Sequence, residues 1–231
     1  MGEGNDGNAA LSVIIPTLNE QDHIAAAVAS AFAAGADQVI VSDGGSHDAT
    51  VSIAESLGVC LVQGAKGRGP QLNLGAQAAR GQIYCFLHAD AQLHPDSGRA
   101  MRDALRDPRV VGGNHRIHFG ATAHGRFLAA FYHVIRRLRV YYGDSAIFCR
   151  PEAFAAVGGF PPFPLMEDLK FVHRLHRIGR MAYLSPRVTA SPRRWEQGGV
   201  AAAWASWLVI QAAYFLRVSP HRLARLYKQI R

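Results

Sequence analysis

The sequence predicts a single α/β domain, with a mostly parallel nucleotide-binding sheet and an apolar helix near the C-terminal end. Three observations lead there. Over roughly the first ninety positions, short apolar runs alternate with amphipathic stretches of about ten to fifteen residues, the pattern of βαβ units. Polar side chains stand just past three of those runs, in Pro16-Thr17-Leu18-Asn19-Glu20, Val39-Ile40-Val41-Ser42-Asp43 and Phe86-Leu87-His88-Ala89-Asp90. That is where open α/β sheets hold ligands. An uncharged stretch from Gly198 to Leu216 then precedes a basic end.

Leu11 to Pro16 is a short run bounded by proline and suits a buried parallel strand. Glu20 to Ala34 puts Ile24, Val28, Ala31 and Phe32 on one helical face, with Gly35 as its stop. Gln38 to Val41 reads as the second strand, Thr50 to Leu57 as a helix closed by Gly58, and Val59 to Val62 as the third strand. Pro70 opens a helix to Ala79, stopped by Gly81, and Gln82 to Leu87 is the fourth strand. Beyond Pro95 the alternation changes. Gly98 to Arg106 reads as a helix, Val110 to Phe119 as an antiparallel strand, and His124 to Tyr142 as a long aromatic and basic helix. Ser145 to Cys149 reads as a strand, and Pro151 to Val157 and Leu169 to Ile178 as helices. Residues 1–10 are expected to form a flexible tail. Residues 11–195 form the domain, with 11–95 as its nucleotide half and 96–195 as its acceptor half. Residues 196–231 supply the apolar helix and a basic C-terminal helix.

A hydrophobic content of 49% supports a sizeable core, and a formal charge of +8 points to an anionic partner. The basic residues cluster at Arg136, Arg137 and Arg139, at Arg193 and Arg194, and along the chain after Arg217. They lack interleaved stacking aromatics on a sheet face, which counts against nucleic acid. Cys60, Cys85 and Cys149 make no metal spacing and sit among apolar neighbours, so buried reduced thiols are expected. The start, Met1 to Asp6, lacks the basic and apolar regions of a signal peptide. A cytoplasmic protein is expected.

Each candidate site residue has two readings. Asn19 and Glu20 begin a helix where a nucleotide can meet the helix N-terminus, and Asn19 is also a favoured N-cap. Asp43 ends a strand before Gly44-Gly45-Ser46, where a carboxylate can accept from a ribose hydroxyl or a base N–H. Asp48 suits a helix cap. Lys66-Gly67-Arg68-Gly69-Pro70-Gln71 is either a surface loop or one in which Arg68 clamps phosphate. Asp90 can bind Mg²⁺ or Mn²⁺ through one oxygen while a diphosphate supplies others. His88 is a second ligand or a core histidine. Glu167-Asp168 either supplies a general base or complements a helix N-terminus.

Taken in order, these elements resemble the family-2 glycosyltransferases of the GT-A fold, over about residues 11 to 195. The matching stretches are Ser12 to Glu20, Asp43 to Thr50, His88-Ala89-Asp90 and Glu167-Asp168. By that resemblance Pro16, Thr17, Glu20 and Asp43 line a uridine pocket, and Asp90 holds the metal on the donor diphosphate. Asp168 is the base, supported by Glu167, and Arg194 closes over the diphosphate. His88 departs from the family's usual Asp-x-Asp. The wording of Gly67–Gln71, Phe86–Asp90, Gly143–Phe148 and Arg193–Glu196 is similar to a small bacterial subgroup associated with arsenosugar biosynthesis and radical-SAM genes.

The resemblance implies an inverting, metal-assisted transfer of a sugar from a nucleoside-diphosphate sugar, with UDP as the usual carrier, to a hydroxyl acceptor. The acceptor is lipid-like or a small metabolite. The competing reading is a non-catalytic nucleotide-sugar-binding or membrane-adaptor protein with a degraded site. Missing glycine-rich loops after the first strand disfavour a nucleotidyltransferase and a dehydrogenase. Val200 to Leu216 is short and alanine-rich for a membrane span, so a peripheral contact with an anionic membrane surface is expected.

Overall fold

The first half of the chain is a regular alternation. β1 (Leu11–Thr17), α1 (Ile24–Ala33), β2 (Gln38–Asp43), α2 (Thr50–Ser56), β3 (Cys60–Gln63), α3 (Arg68–Ala78) and β4 (Ile83–Phe86) follow one another. Successive side chains of a strand face opposite ways. Leu11, Val13 and Ile15 of β1 accordingly join α1, α2 and a later helix in one core layer, while Ile14 joins α3 in the other. A computed structural model describes residues 9–191 and 200–227, with side chains at 200–204 excepted. The tail at 1–8, the Arg193-Arg194-Trp195 segment and the basic end at 228–231 lie outside the described residues.

The second half is mixed. It contains β5 (Ala91–Gln92), α4 (Ser97–Ala104), β6 (Val110–His118), α5 (Ala123–Ile135), β7 (Ile147–Cys149), α6 (Pro151–Ala156), α7 (Glu167–Ile178), β8 (Arg180–Ala190), α8 (Val200–Phe215) and α9 (Pro220–Leu226). The strands form one sheet in the order β3-β2-β1-β4-β7-β6-β8-β5. β1, β2, β3 and β4 are parallel, as are β6 and β8, whereas β7 runs against β4 and β6 and β5 against β8. The C-terminal ends of β1, β2 and β4 therefore share a rim with the turn that enters β7. The end of β8 reaches the same rim, where the Ser191 amide donates to the Asp90 carbonyl at 3.1 Å.

Four expectations change. α1 starts at Ile24 rather than Glu20; Glu20 opens a separate turn before it, its carbonyl accepting the His23 and Ile24 amides at 3.0 Å. α5 stops at Ile135 instead of continuing to Tyr142. Arg136 folds inward there, donating to Asn114 Oδ1 at 3.1 Å and to the Ala182 carbonyl at 2.9 Å, with its guanidinium 4.6 Å from the Tyr183 ring. β6 is antiparallel to β7 but parallel to β8, a strand the sequence pattern concealed. Pro186 reads as a strand breaker, yet the register passes from His115↔Leu184 to Arg116↔Arg187, so Ser185 and Pro186 bulge out of the ladder. Cys85 and Cys149 are buried free thiols as expected, whereas Cys60 is half-buried.

α8 packs one edge on the domain: Ile210 joins Ile135, Val140, Met166, Leu169 and Leu223 of α9 in one cluster. Among the described residues no helix is long and apolar enough to cross a membrane.

Candidate active site

β1 and β2 end side by side, with Thr17 opposite Asp43. Asp43 is fully buried, so its carboxylate requires partners. The Thr17 hydroxyl donates to Oδ1 at 3.2 Å, the Ser46 hydroxyl donates to the same oxygen, and the Gly45 and Ser46 amides donate to Oδ2 at 2.9 Å. Gly45 makes this turn possible with φ 93°. Burial pushes the Asp43 pKa up, but the Ser46 hydroxyl, the two amides and the Thr17 hydroxyl outweigh it, so the net shift is downward.

The neighbouring loops are stitched together. Asn19 is left-handed at φ 56°; its amide donates to Ser46 Oγ at 2.8 Å and its Oδ1 accepts the His47 amide at 2.8 Å. It does not cap α1, whose N-cap is His23. Asp48 lies one residue before the α2 N-cap, accepting the Thr50 amide at 3.0 Å and the Gln21 amide at 3.2 Å. Glu20 is buried beside them, its amide donating to Thr50 Oγ1 at 2.8 Å. Pro16 sits half-buried on β1.

Gln71 is a residue the sequence reading did not single out for the site. From α3 its Nε2 donates to the Thr17 carbonyl at 2.6 Å and the Ser42 carbonyl at 2.9 Å, clamping the tips of β1 and β2. A Cβ on Gly44 would lie 2.9 Å from its Cδ, so glycine there leaves the amide room.

A second cluster lies along the rim past β4. Arg68, the first residue of α3, reaches Glu167 Oε1 at 2.9 Å. Met166 is left-handed at φ 66°, and the turn it makes starts α7 at Glu167. Both acidic residues therefore occupy the first helical turn, where the helix dipole favours negative charge. Asp168 Oδ2 accepts the Gly143 amide at 2.8 Å, and Oδ1 accepts the Leu169 amide at 2.7 Å. Burial alone would lower the Arg68 pKa; the carboxylates of Glu167, Asp168 and Asp90 outweigh it and raise it. Glu167 faces the opposite balance. Burial raises its pKa, Arg68 offsets this in part, and Asp168 adds to it. Tyr214 of α8 packs against the apolar cluster that contains Met166 and Leu169; burial, then the Asp168 carboxylate, raise its phenol.

A family model described as Glycosyl transferase family 2 matches residues 12–163. The chain belongs to glycosyl transferase family 2. No curated protein matches it by sequence. Solved structures share the fold. One is Staphylococcus aureus TarS 1–349 in complex with UDP-GlcNAc, 17% identical, TM-score 0.62, covering 79% of this chain and 58% of that one. Another is glucosyl-3-phosphoglycerate synthase from Mycobacterium tuberculosis with Mn²⁺, UDP and glucosyl-3-phosphoglycerate, 21% identical, TM-score 0.61, covering 78% and 70%. A third is a Pyrobaculum calidifontis mannosyltransferase with GDP-Man and Mn²⁺, 16% identical, TM-score 0.61, covering 87% and 64%. The chain spans 37% to 61% of the length of the TarS structures it matches.

In this family-2 chain the matched region contains Asp43, Arg68, Asp90 and Gly143 and ends before Glu167 and Asp168. The fold brings Pro16, Thr17, Asn19, Glu20 and Asp43 to one end of the rim and Arg68, Asp90, Glu167 and Asp168 to the next. Arg194 lies outside the described residues. Arg68, the expected phosphate clamp, pairs with Glu167 at 2.9 Å while its side chain stays 34% exposed. Gly143 was not assigned a role from sequence, although Gly143-Asp144-Ser145 had distinctive wording. A contact to Asp168 across the fold leaves no local pattern.

Among the described residues no group of three or more His, Cys, Asp or Glu is arranged to hold a metal ion. The residues fit a cation that arrives with a diphosphate instead. Asp90 offers a hard carboxylate oxygen, and the remaining positions of an Mg²⁺ or Mn²⁺ shell suit phosphate oxygens and water. His88 lies against Gly143 and Asp168 instead: a Cβ on Gly143 would fall 2.5 Å from His88 Nε2 and 3.5 Å from Asp168 Oδ2.

Proposed function

We propose that the protein is an inverting glycosyltransferase. It moves a sugar from a nucleoside-diphosphate sugar, with uridine as the base, to a hydroxyl acceptor. The observation that carries this reading is the Arg68–Glu167 pair at 2.9 Å, next in sequence to an Asp168 carboxylate held by the Gly143 amide, in a sheet whose β1 and β2 tips carry the hydrogen-bonded Asp43. The family membership and the nucleotide complexes of the similar folds support the donor class.

The ionised Asp43 and the Thr17 and Asn19 loop form the nucleoside end of the cleft, kept in shape by Gln71. Asp168 accepts the acceptor hydroxyl's proton as the acceptor oxygen bonds to the sugar's anomeric carbon. The bond from that carbon to the diphosphate breaks on the opposite face, and the nucleoside diphosphate leaves with the bonding electrons. Gly143 and the α7 N-terminus orient the Asp168 carboxylate. Glu167 fixes Arg68 beside it, where the guanidinium's positive charge favours the departing diphosphate. When bound, a divalent cation held by Asp90 supplies further neutralisation of that charge.

The test is release of nucleoside diphosphate from a panel of UDP- and GDP-sugars, with Mg²⁺ or Mn²⁺ and with EDTA, coupled to thermal shift. Metal-dependent release together with a UDP-induced thermal shift is expected. A chain stabilised by no nucleotide and hydrolysing or transferring from no donor overturns the reading.

A further inference from the structure

The eight most exposed large apolar side chains among the described residues all lie in three segments of the C-terminal half. Phe127 and Val134 project from α5, with Leu138 just beyond it, at 59%, 56% and 73% exposure. Leu208, Val209, Phe215 and Leu216 project from the outer side of α8 and its end, and Leu226 from α9. The segments are continuous in space. Phe131, on the Phe127 side of α5, meets Trp207 of α8 edge to face at 5.3 Å, and Leu223 buries α9 against the cluster beneath α8. Exposed apolar area so concentrated marks an interaction surface rather than scattered surface residues.

Its charge is one-sided. Residues 123–142 and 200–227 contain no Asp or Glu. Arg137 and Arg139 follow α5, and Arg217, Arg222 and Arg225 lie around α9, all exposed. A second copy of the chain on this face would bring arginines against arginines, and like charges across an interface oppose docking. Among the described residues no helix, α8 included, is long and apolar enough to cross a bilayer. Apolar side chains ringed by arginines on helices lying along a surface suit an anionic membrane interface.

We infer that the face built from α5, α8 and α9 docks on an anionic membrane surface. Because the inner side of α8 packs Ile210 with Met166 and Leu169, which flank Glu167 and Asp168 in sequence, docking holds the acceptor side of the cleft near the bilayer. The docking does not depend on the reaction assigned to the site.

The test is co-sedimentation of the full chain with phosphatidylcholine vesicles, with and without phosphatidylserine, at low and high salt. Binding to the anionic vesicles is expected, weakened by salt. The Arg222→Gln, Arg225→Gln pair should weaken binding about five-fold per arginine. The exposed pair Leu208→Gln, Phe215→Gln should reduce it further. Each variant must retain the parent's melting temperature, and Phe127→Gln provides an independent check from α5. No binding to anionic vesicles at low salt overturns the inference. So does light scattering that shows a dimer dissociated by Leu208→Gln, Phe215→Gln, which would make the face a contact between copies. Binding indifferent to both variant pairs would place any membrane contact elsewhere and overturn it too.

Discussion

The backbone amide of Gly143 donates to Asp168 Oδ2 at 2.8 Å across a separation of 25 residues. It joins the turn entering β7 to the first turn of α7, so the carboxylate assigned as the base is aimed by a backbone amide of that turn. A Cβ at position 143 would lie 2.5 Å from His88 Nε2 and 3.5 Å from Asp168 Oδ2. Gly143→Ala should therefore displace His88 or the Asp168 contact while leaving the nucleoside end intact. Misplacement of about 1 Å costs roughly 10²-fold in rate. Steady-state kinetics should show that loss in kcat with the UDP-induced thermal shift retained; a parental kcat would mean that the contact does not aim the base.

Asp168→Asn keeps the size of the side chain and removes its basicity. Turnover should fall roughly 10²–10⁴-fold, with donor affinity unchanged by calorimetry. An Asn variant transferring at the parental rate would leave Asp168 as a helix-terminus residue only.

The two ends of the donor cleft should separate experimentally. Asp90→Ala should abolish the tightening of UDP binding by Mn²⁺. Asp43→Ala should weaken UDP with and without metal, and it should also lower stability, since each buried donor left unsatisfied costs about 1–3 kcal/mol. Calorimetry in which both variants match the parent with Mn²⁺ would remove both assignments.

Arg68→Met should leave Glu167 buried without its cation. Removing one partner of a fully buried pair costs about 3–5 kcal/mol and exposed pairs are worth about 0–1. The Arg68 side chain is 34% exposed and that of Glu167 2%, so an intermediate cost of about 2–3 kcal/mol is expected. Urea denaturation of Arg68→Met, Glu167→Gln and the double variant gives the coupling. Additive losses would show that the pair carries no shared energy.

Stability should fall in mild acid. His115 is fully buried, its Nδ1 3.0 Å from the Ala146 carbonyl, and burial lowers its pKa from 6.5 to about 4. The unfolded chain binds the proton at higher pH than the folded one. The contribution is therefore complete above pH 6.5 and is lost as pH falls from 6.5 toward 4. The loss reaches about 2 kcal/mol by pH 5. His176, lowered to about 4 by burial and then by Arg139 and Arg136, adds with the same sign. Asp43, lowered from 3.8, is lost only below this window. Urea midpoints at pH 7 and pH 5 measure the slope, and His115→Leu should flatten it.

The legible part of the molecule is the part governed by neighbours in sequence. β1 to β4 and their helices follow from short apolar runs, amphipathic spacing and glycine stops, because each element's contacts are set by residues a few positions apart. The placement of Thr17 and Asp43 at strand tips is legible by the same means, since a parallel strand's end is visible where its apolar run stops. β8 was hidden because Pro186 breaks its pattern, and only pairing with β6 shows that the proline sits in a bulge. The early end of α5 was equally hidden, because Arg136 finds carbonyls on β8 that cannot be read from the helix itself.

By itself, then, the sequence determined the parallel βα half, the strand-end carboxylates and the uncharged C-terminal helix, all of which rest on local periodicity and short-range backbone chemistry. Only the tertiary structure decided that Arg68 belongs to Glu167, 99 residues away, that Gly143 holds Asp168, and that one side of α8 packs behind the Met166–Leu169 turn while the other remains exposed. Those contacts are long-range. Their stabilisation appears only after the intervening chain has been ordered and the loop-closure entropy overcome, so no local pattern of residues records them.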